Sequence, residues 1–168
     1  DYMFENAWAF TGKGLNGWRP QSLQSTINMF HSAYNFNADI NAWDVSTVTE
    51  MQHMFHDAFA FNKNLNSWHP SQVQNMSAMF AGTTQFNGDL TGWDVSQVNT
   101  MDYMFYASLN FTGKGLNTWN PSSCTTMAHM FNNAVVFRGD ISGWDVSAVT
   151  DFSYMFYKAS KFNSDLSN

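Results

Sequence analysis

Six of the seven tryptophans in this chain keep a fixed beat. Trp18, Trp43, Trp68, Trp93, Trp119 and Trp144 follow one another at steps of 25, 25, 25, 26 and 25 residues. A Met-Phe pair holds the same period seven times: Met3-Phe4, Met29-Phe30, Met54-Phe55, Met79-Phe80, Met104-Phe105, Met130-Phe131 and Met155-Phe156. A second phenylalanine does likewise, at Phe10, Phe36, Phe61, Phe86, Phe111, Phe137 and Phe162. Several registers held together over seven units mean a repeat array. One unit of this size cannot bury its own apolar face, whereas stacked units bury it jointly. The chain has the material for such an interior, with 44% hydrophobic and 17% aromatic residues. Its charged share is only 12%, about half the usual quarter, so solubility rests on Asn, Ser, Thr and Gln.

Two finer patterns overlie the period. Turns with Trp-Asp-Val-Ser (43–46, 93–96, 144–147) alternate with Trp-x-Pro turns (18–20, 68–70, 119–121), and "TGKGLN" occurs at 11–16 and 112–117. Val48, Met51, Met54, Phe55 and Ala58 recur at spacings of three and four, which predicts a short amphipathic helix over 46–58. Ser46 stands at its N-cap position, with Ser71, Ser96, Ser122 and Ser147 as equivalents. Trp43 and Val45 flank an outward Asp44, and Ile40 precedes them, which predicts a short strand. Proline in every second turn would end that strand or leave a rung unpaired. Asn37, Asn62, Asn87 and Asn163 follow the second phenylalanine and are expected to bond local backbone groups. The expectation is an α/β repeat of about seven stacked turns, each with one short parallel strand and one short helix, forming a single unit over 1–168.

The pattern "FNxDLxxWDVSxVxxMxxMFxxA" closely resembles the BspA-like leucine-rich repeat, in the version of roughly 25 residues found in bacterial surface lipoproteins and some unicellular algae. The resemblance covers essentially the whole chain. It implies a right-handed leucine-rich-repeat-like solenoid, secreted or at the cell surface, acting in adhesion or protein binding, with no shared catalytic residue. The Trp-x-Pro turns and the Gly-Lys-Gly insertions depart from the pattern.

Chemistry is sparse. A net charge of −6 disfavours a nucleic-acid partner, which calls for a basic patch. Cys124 is the single cysteine, so no internal disulfide forms. No run of about 18 apolar residues is long enough to span a bilayer. No phosphate loop, nucleophile elbow or Ser-His-Asp spacing is present, so neither an enzyme nor a cofactor is expected. Asp39, Asp89, Asp140 and Asp165 read either as a calcium column or as acceptors for turn N–H groups. The second is preferred, because calcium needs six to eight oxygens about one point. His53 and His56 sit beside Asp57 but number too few for zinc, which takes three or four ligands, so no metal is expected. Asp44, Asp94 and Asp145 alternate with Arg19, His69 and Asn120 on the outward position after tryptophan. This spacing avoids stacking like charges and suits a recognition strip, for which Asp44, His69, Asp94, Asn120 and Asp145 are the candidates. Asn75 and Asn110 open glycosylation sequons. The chain begins and stops in mid-unit without a polar cap, which reads as a fragment of a longer array or as ends covered by other chains. Two functions are expected: a noncatalytic scaffold binding other proteins or surface glycans outside the cell, or a structural subunit of a filament or larger complex.

Overall fold

The computed structural model describes residues 1–167. Its turns lie one on the next, and a single column of isolated parallel bridges ties them: Ser25 to Glu50, Asn75, Thr100, Thr126 and Asp151. The expected helix and strand of each turn are absent among the described residues, and the α/β leucine-rich-repeat solenoid is therefore wrong for this chain. Among the described residues the only helical elements are two 3-10 segments, Leu15–Gly17 and Leu116–Thr118. Both start within the "TGKGLN" segments and follow glycines in the left-handed region, Gly14 (φ 94) and Gly115 (φ 92). Ser46 and its equivalents cap no helix.

The backbone shows why. A helix needs negative φ at every residue, yet His53 (φ 57) and Asp57 (φ 56) are left-handed. Their counterparts Asn28 and Ser32, Ala78 and Gly82, Tyr103 and Ala107, His129 and Asn133 share the positive φ. The segment is a run of tight turns, closed by Met54 N–H to Met51 O, His56 N–H to His53 O and Ala58 N–H to Phe55 O. The remaining donors leave the turn. Met51, His53, Phe55 and Asp57 donate to Asn75, Ser77, Met79 and Ala81 of the next turn at 2.8–3.0 Å. On the other side, the carbonyls of Glu50, Gln52, Met54 and His56 accept from Thr26, Asn28, Phe30 and Ser32. Alternate peptides thus stand along the stack and bond both neighbouring turns. Backbone groups that a helix or sheet would satisfy are satisfied between turns.

The prolines fit for a related reason. Val48 donates to Val45 O, and in the alternate turns Val73 donates to Pro70 O and Cys124 to Pro121 O. The position acts as an acceptor, which proline supplies as well as valine.

The core is a set of vertical aromatic columns. The Met-Phe phenylalanines stack without interruption from Phe4 to Phe156, with centroids 5.4–5.7 Å apart. The second phenylalanines form a parallel column from Phe10 to Phe162. Within a turn the two rings lie face to face, as Phe55 and Phe61 do at 4.2 Å. Trp68, Trp93, Trp119 and Trp144 make a third column at 5.9–6.1 Å. Their indole N–H groups donate to the carbonyls of Ile40, Leu65, Leu90 and Leu116, one turn back. Phe30 through Phe131 in the first column are fully buried, and each such ring contributes about 2–3 kcal/mol of burial with about 1 kcal/mol more per stacked pair.

Outside this core, polar columns seal the turns. The side-chain oxygens of Asn37, Asn62 and Asn87 accept the backbone N–H of Asn62, Asn87 and Thr112 at 2.9–3.0 Å.

Candidate functional site

Every side chain of one column shares a vertical line on the outer surface, so functional features recur once per turn. The post-tryptophan column carries Arg19, Asp44, His69, Asp94, Asn120 and Asp145, all exposed. Local geometry fixes the acidic members. Asp44 Oδ1 accepts the Ser46 N–H at 3.0 Å and its hydroxyl at 2.7 Å. Asp94 and Asp145 accept the N–H of Ser96 and Ser147 in the same way. These bonds favour the ionised form and hold the carboxyls of Asp44 and Asp145 below the ordinary range. His69 Nδ1 lies 3.4 Å from Gly92 O. Asp94 and Asn120 face one shallow hollow, with Trp93 and Thr118 on its walls.

The Asp39, Asp89, Asp140 and Asp165 carboxylates each accept the N–H of the residue two places on: Asn41, Thr91, Ser142 and Ser167. They cap turns. Asp89 also lies 3.5 Å from Lys114 Nζ. Of the sequon residues, Asn110 is exposed and Asn75 half-buried, with Asn75 Oδ1 accepting the Ser77 N–H. Cys124 fills the column of Val48, Val73, Val98 and Val149, and burial pushes its thiol up to about 11.

A second polar group emerges where the histidines meet. His31 and His56 are equivalent positions of adjacent turns, and their rings stack at 4.8 Å. Glu5 precedes them in the same column, with Oε1 3.1 Å from His31 Nδ1. Asn28 Nδ2 donates to the same oxygen at 3.0 Å. His53 Nδ1 lies 3.1 Å from His56 Nδ1, and His56 Nε2 lies 3.8 Å from Asp57 Oδ2. Burial lowers the pKa of His53, and the nearby His31 lowers it further. Burial also lowers that of His56, against the opposing pull of Asp57. Sequence reasoning paired His53 with His56 and missed His31. The signal was present in the period, because His31 and His56 are 25 residues apart.

A further aromatic ladder lies on the surface. Trp8, Tyr34 and Phe59 stack at 6.2 and 4.7 Å while each stays at least 37% exposed. At the last turn, an apolar hollow of about 520 Å³ is lined by Ile141, Trp144, Val146, Phe152, Tyr154 and others. Among the described residues, no helix is long and apolar enough to cross a membrane.

Stacked turns with shared core columns and in-register outer side chains define a repeat protein whose surface features recur at every turn. The family described as "Mycoplasma protein of unknown function, DUF285" matches residues 1–115 and again 90–168, and the chain belongs to this repeat-containing family. No curated protein and no solved structure matches it.

Proposed function

We propose that the protein is a noncatalytic repeat scaffold that binds other proteins or surface glycans along its outer face, outside the cell. One observation carries this reading: Asp44, His69, Asp94, Asn120 and Asp145 form an exposed column, with one polar group per turn on a rigid stacked core. A ligand with its own repeat can meet such a column at several turns at once, and multiple weak contacts then sum to useful affinity. The resemblance of the repeat to the BspA-like pattern supports an adhesive role at the cell surface.

The test is to present the protein to arrays of extracellular proteins and polysaccharides. A variant carrying Asp44→Ala, His69→Ala, Asp94→Ala and Asn120→Ala should lose the captured partner while still unfolding cooperatively, at a somewhat lower temperature because the Ser46 and Ser96 N–H groups lose their carboxylate acceptors. Undiminished capture by this variant removes the strip from the reading. Cleavage of a captured polymer removes the noncatalytic claim.

The apolar hollow at the last turn favours a second reading, a structural subunit whose end is covered within a filament or larger complex. Exposed apolar area of this kind commonly marks an interaction site. Light scattering separates the two readings: discrete monomers support the free scaffold, and length-growing particles support the assembly.

A further inference from the structure

We propose that His31, His56 and Asp57 form a binding site for a zinc-class divalent transition-metal ion, held between two successive turns. Their ligand atoms all lie within 4.8 Å of one another. In a tetrahedral zinc site, metal–ligand bonds of about 2.1 Å put neighbouring ligand atoms roughly 3.4 Å apart. The His31 and His56 rings are stacked 11° from parallel, so one ring must turn to bring both Nε2 atoms onto a common ion, and the 26–38% exposure of the three side chains leaves it room to do so.

The surrounding groups already select the ligating atoms. His31 Nδ1 is engaged by Glu5 Oε1 at 3.1 Å, and His56 Nδ1 by His53 Nδ1 at 3.1 Å. Each ring therefore has Nε2 as its open nitrogen, and that of His56 already faces the Asp57 carboxylate. A carboxylate behind a ligating histidine fixes its ring orientation and raises its basicity, and Glu5 stands in that place behind His31. Asn28 holds Glu5 from the other side.

The third ligand also has a prepared seat. Gly82 is the residue above Asp57, and a Cβ there would lie 2.1 Å from Asp57 Oδ1. Other turns carry a side chain at this place, as Ser32 and Ala107 show. Glycine opens it where the carboxylate needs room. Two imidazoles and one carboxylate suit zinc and its first-row neighbours, whereas calcium and magnesium prefer all-oxygen sets.

The test is calorimetric titration of the chelator-stripped protein with zinc chloride, repeated with cobalt chloride while following the visible absorption band. The expected result is one equivalent bound, a cobalt spectrum of low-symmetry nitrogen and oxygen ligation, and no competition from excess calcium. His31→Ala, His56→Ala and Asp57→Asn should each weaken zinc binding at least tenfold. Glu5→Gln should weaken it by roughly tenfold, the usual effect of a supporting carboxylate. Gly82→Ala should weaken it without removing any ligand. His129→Ala, in a different column between Tyr103 and Tyr154, should leave it unchanged. Tryptophan fluorescence in chelator reports whether each variant keeps the stacked core, and Asp57→Asn serves if a histidine variant does not fold. Equal zinc affinity in wild type and Asp57→Asn overturns the site, as does calcium competing on equal terms.

Discussion

At the scale of the residue, the left-handed corners are where the chain is strained. A non-glycine residue in this region costs about 1–2 kcal/mol, and thirteen such residues occur among the described residues. Asn6, Asn28, His53, Asp57, His129 and Asn133 are of the types that tolerate it best. Ala107 (φ 53) is not, and its counterpart one turn earlier is Gly82. Ala107→Gly should raise the unfolding free energy by about 1 kcal/mol in urea melts. Ala33→Gly should lower it, because Ala33 is buried and lacks a positive φ. The tryptophans offer another contrast. Trp43 Nε1 is buried without a partner, whereas Trp93 Nε1 donates to Leu65 O at 2.9 Å. Trp43→Phe should therefore be milder than Trp93→Phe by about 1–2 kcal/mol in the same melts. Titration adds a pH dependence. The folded pKa values of His53 and His56 lie below the unfolded value of 6.5, so the unfolded chain binds more protons as pH falls. Stability of the metal-free protein should be full above pH 6.5 and decline below it, and His56→Gln should flatten that decline. Asp44, Asp140, Asp145 and Asp151 are likewise depressed, below 3.8. Their contribution is present above 3.8 and lost as pH falls through the folded values.

At the scale of the single turn, the spacing of apolar residues was a sound guide to which side chains go inside and a poor guide to backbone shape. Met51, Met54, Phe55 and Ala58 are all fully buried, as a helix face would bury them. A run of tight turns with a corner every fourth residue puts the same positions inward, so periodicity alone cannot separate the two. The separating hints were Asn, Asp, His and Gly at the corners, together with proline where a strand rung was expected. The aspartate turn caps were legible because they follow from side-chain chemistry near the backbone, whereas the Asn column was expected to bond local backbone and instead accepts N–H groups of the next turn. The histidine group was only half legible, since adjacency across turns depends on the register of the stack. Circular dichroism should accordingly lack the helical minima while tryptophan fluorescence still reports cooperative unfolding. Asn62→Ala should cost about 1 kcal/mol, because the Asn87 N–H loses its acceptor.

At the scale of the whole molecule, stability is a sum over turn-to-turn contacts. Phe80 is fully buried between Phe55 and Phe105, so Phe80→Ala should cost about 3–5 kcal/mol. Phe162 is partly buried in the last turn, and Phe162→Ala should cost clearly less in the same thermal or urea unfolding measurement. The upright peptides have a directional consequence. In the Met-Phe flank every such carbonyl points toward the preceding turn and every such N–H toward the following one. The stack therefore has chemical polarity: along Phe152, Tyr154, Phe156 and Lys158 the upright N–H groups face onward, and a further turn or another copy that meets them must present carbonyls. Two copies meeting face to face on like flanks would oppose donor to donor, or acceptor to acceptor. Copies that join through this flank must run head to tail, a heterologous contact that extends into a one-way fibre when its rotation does not close.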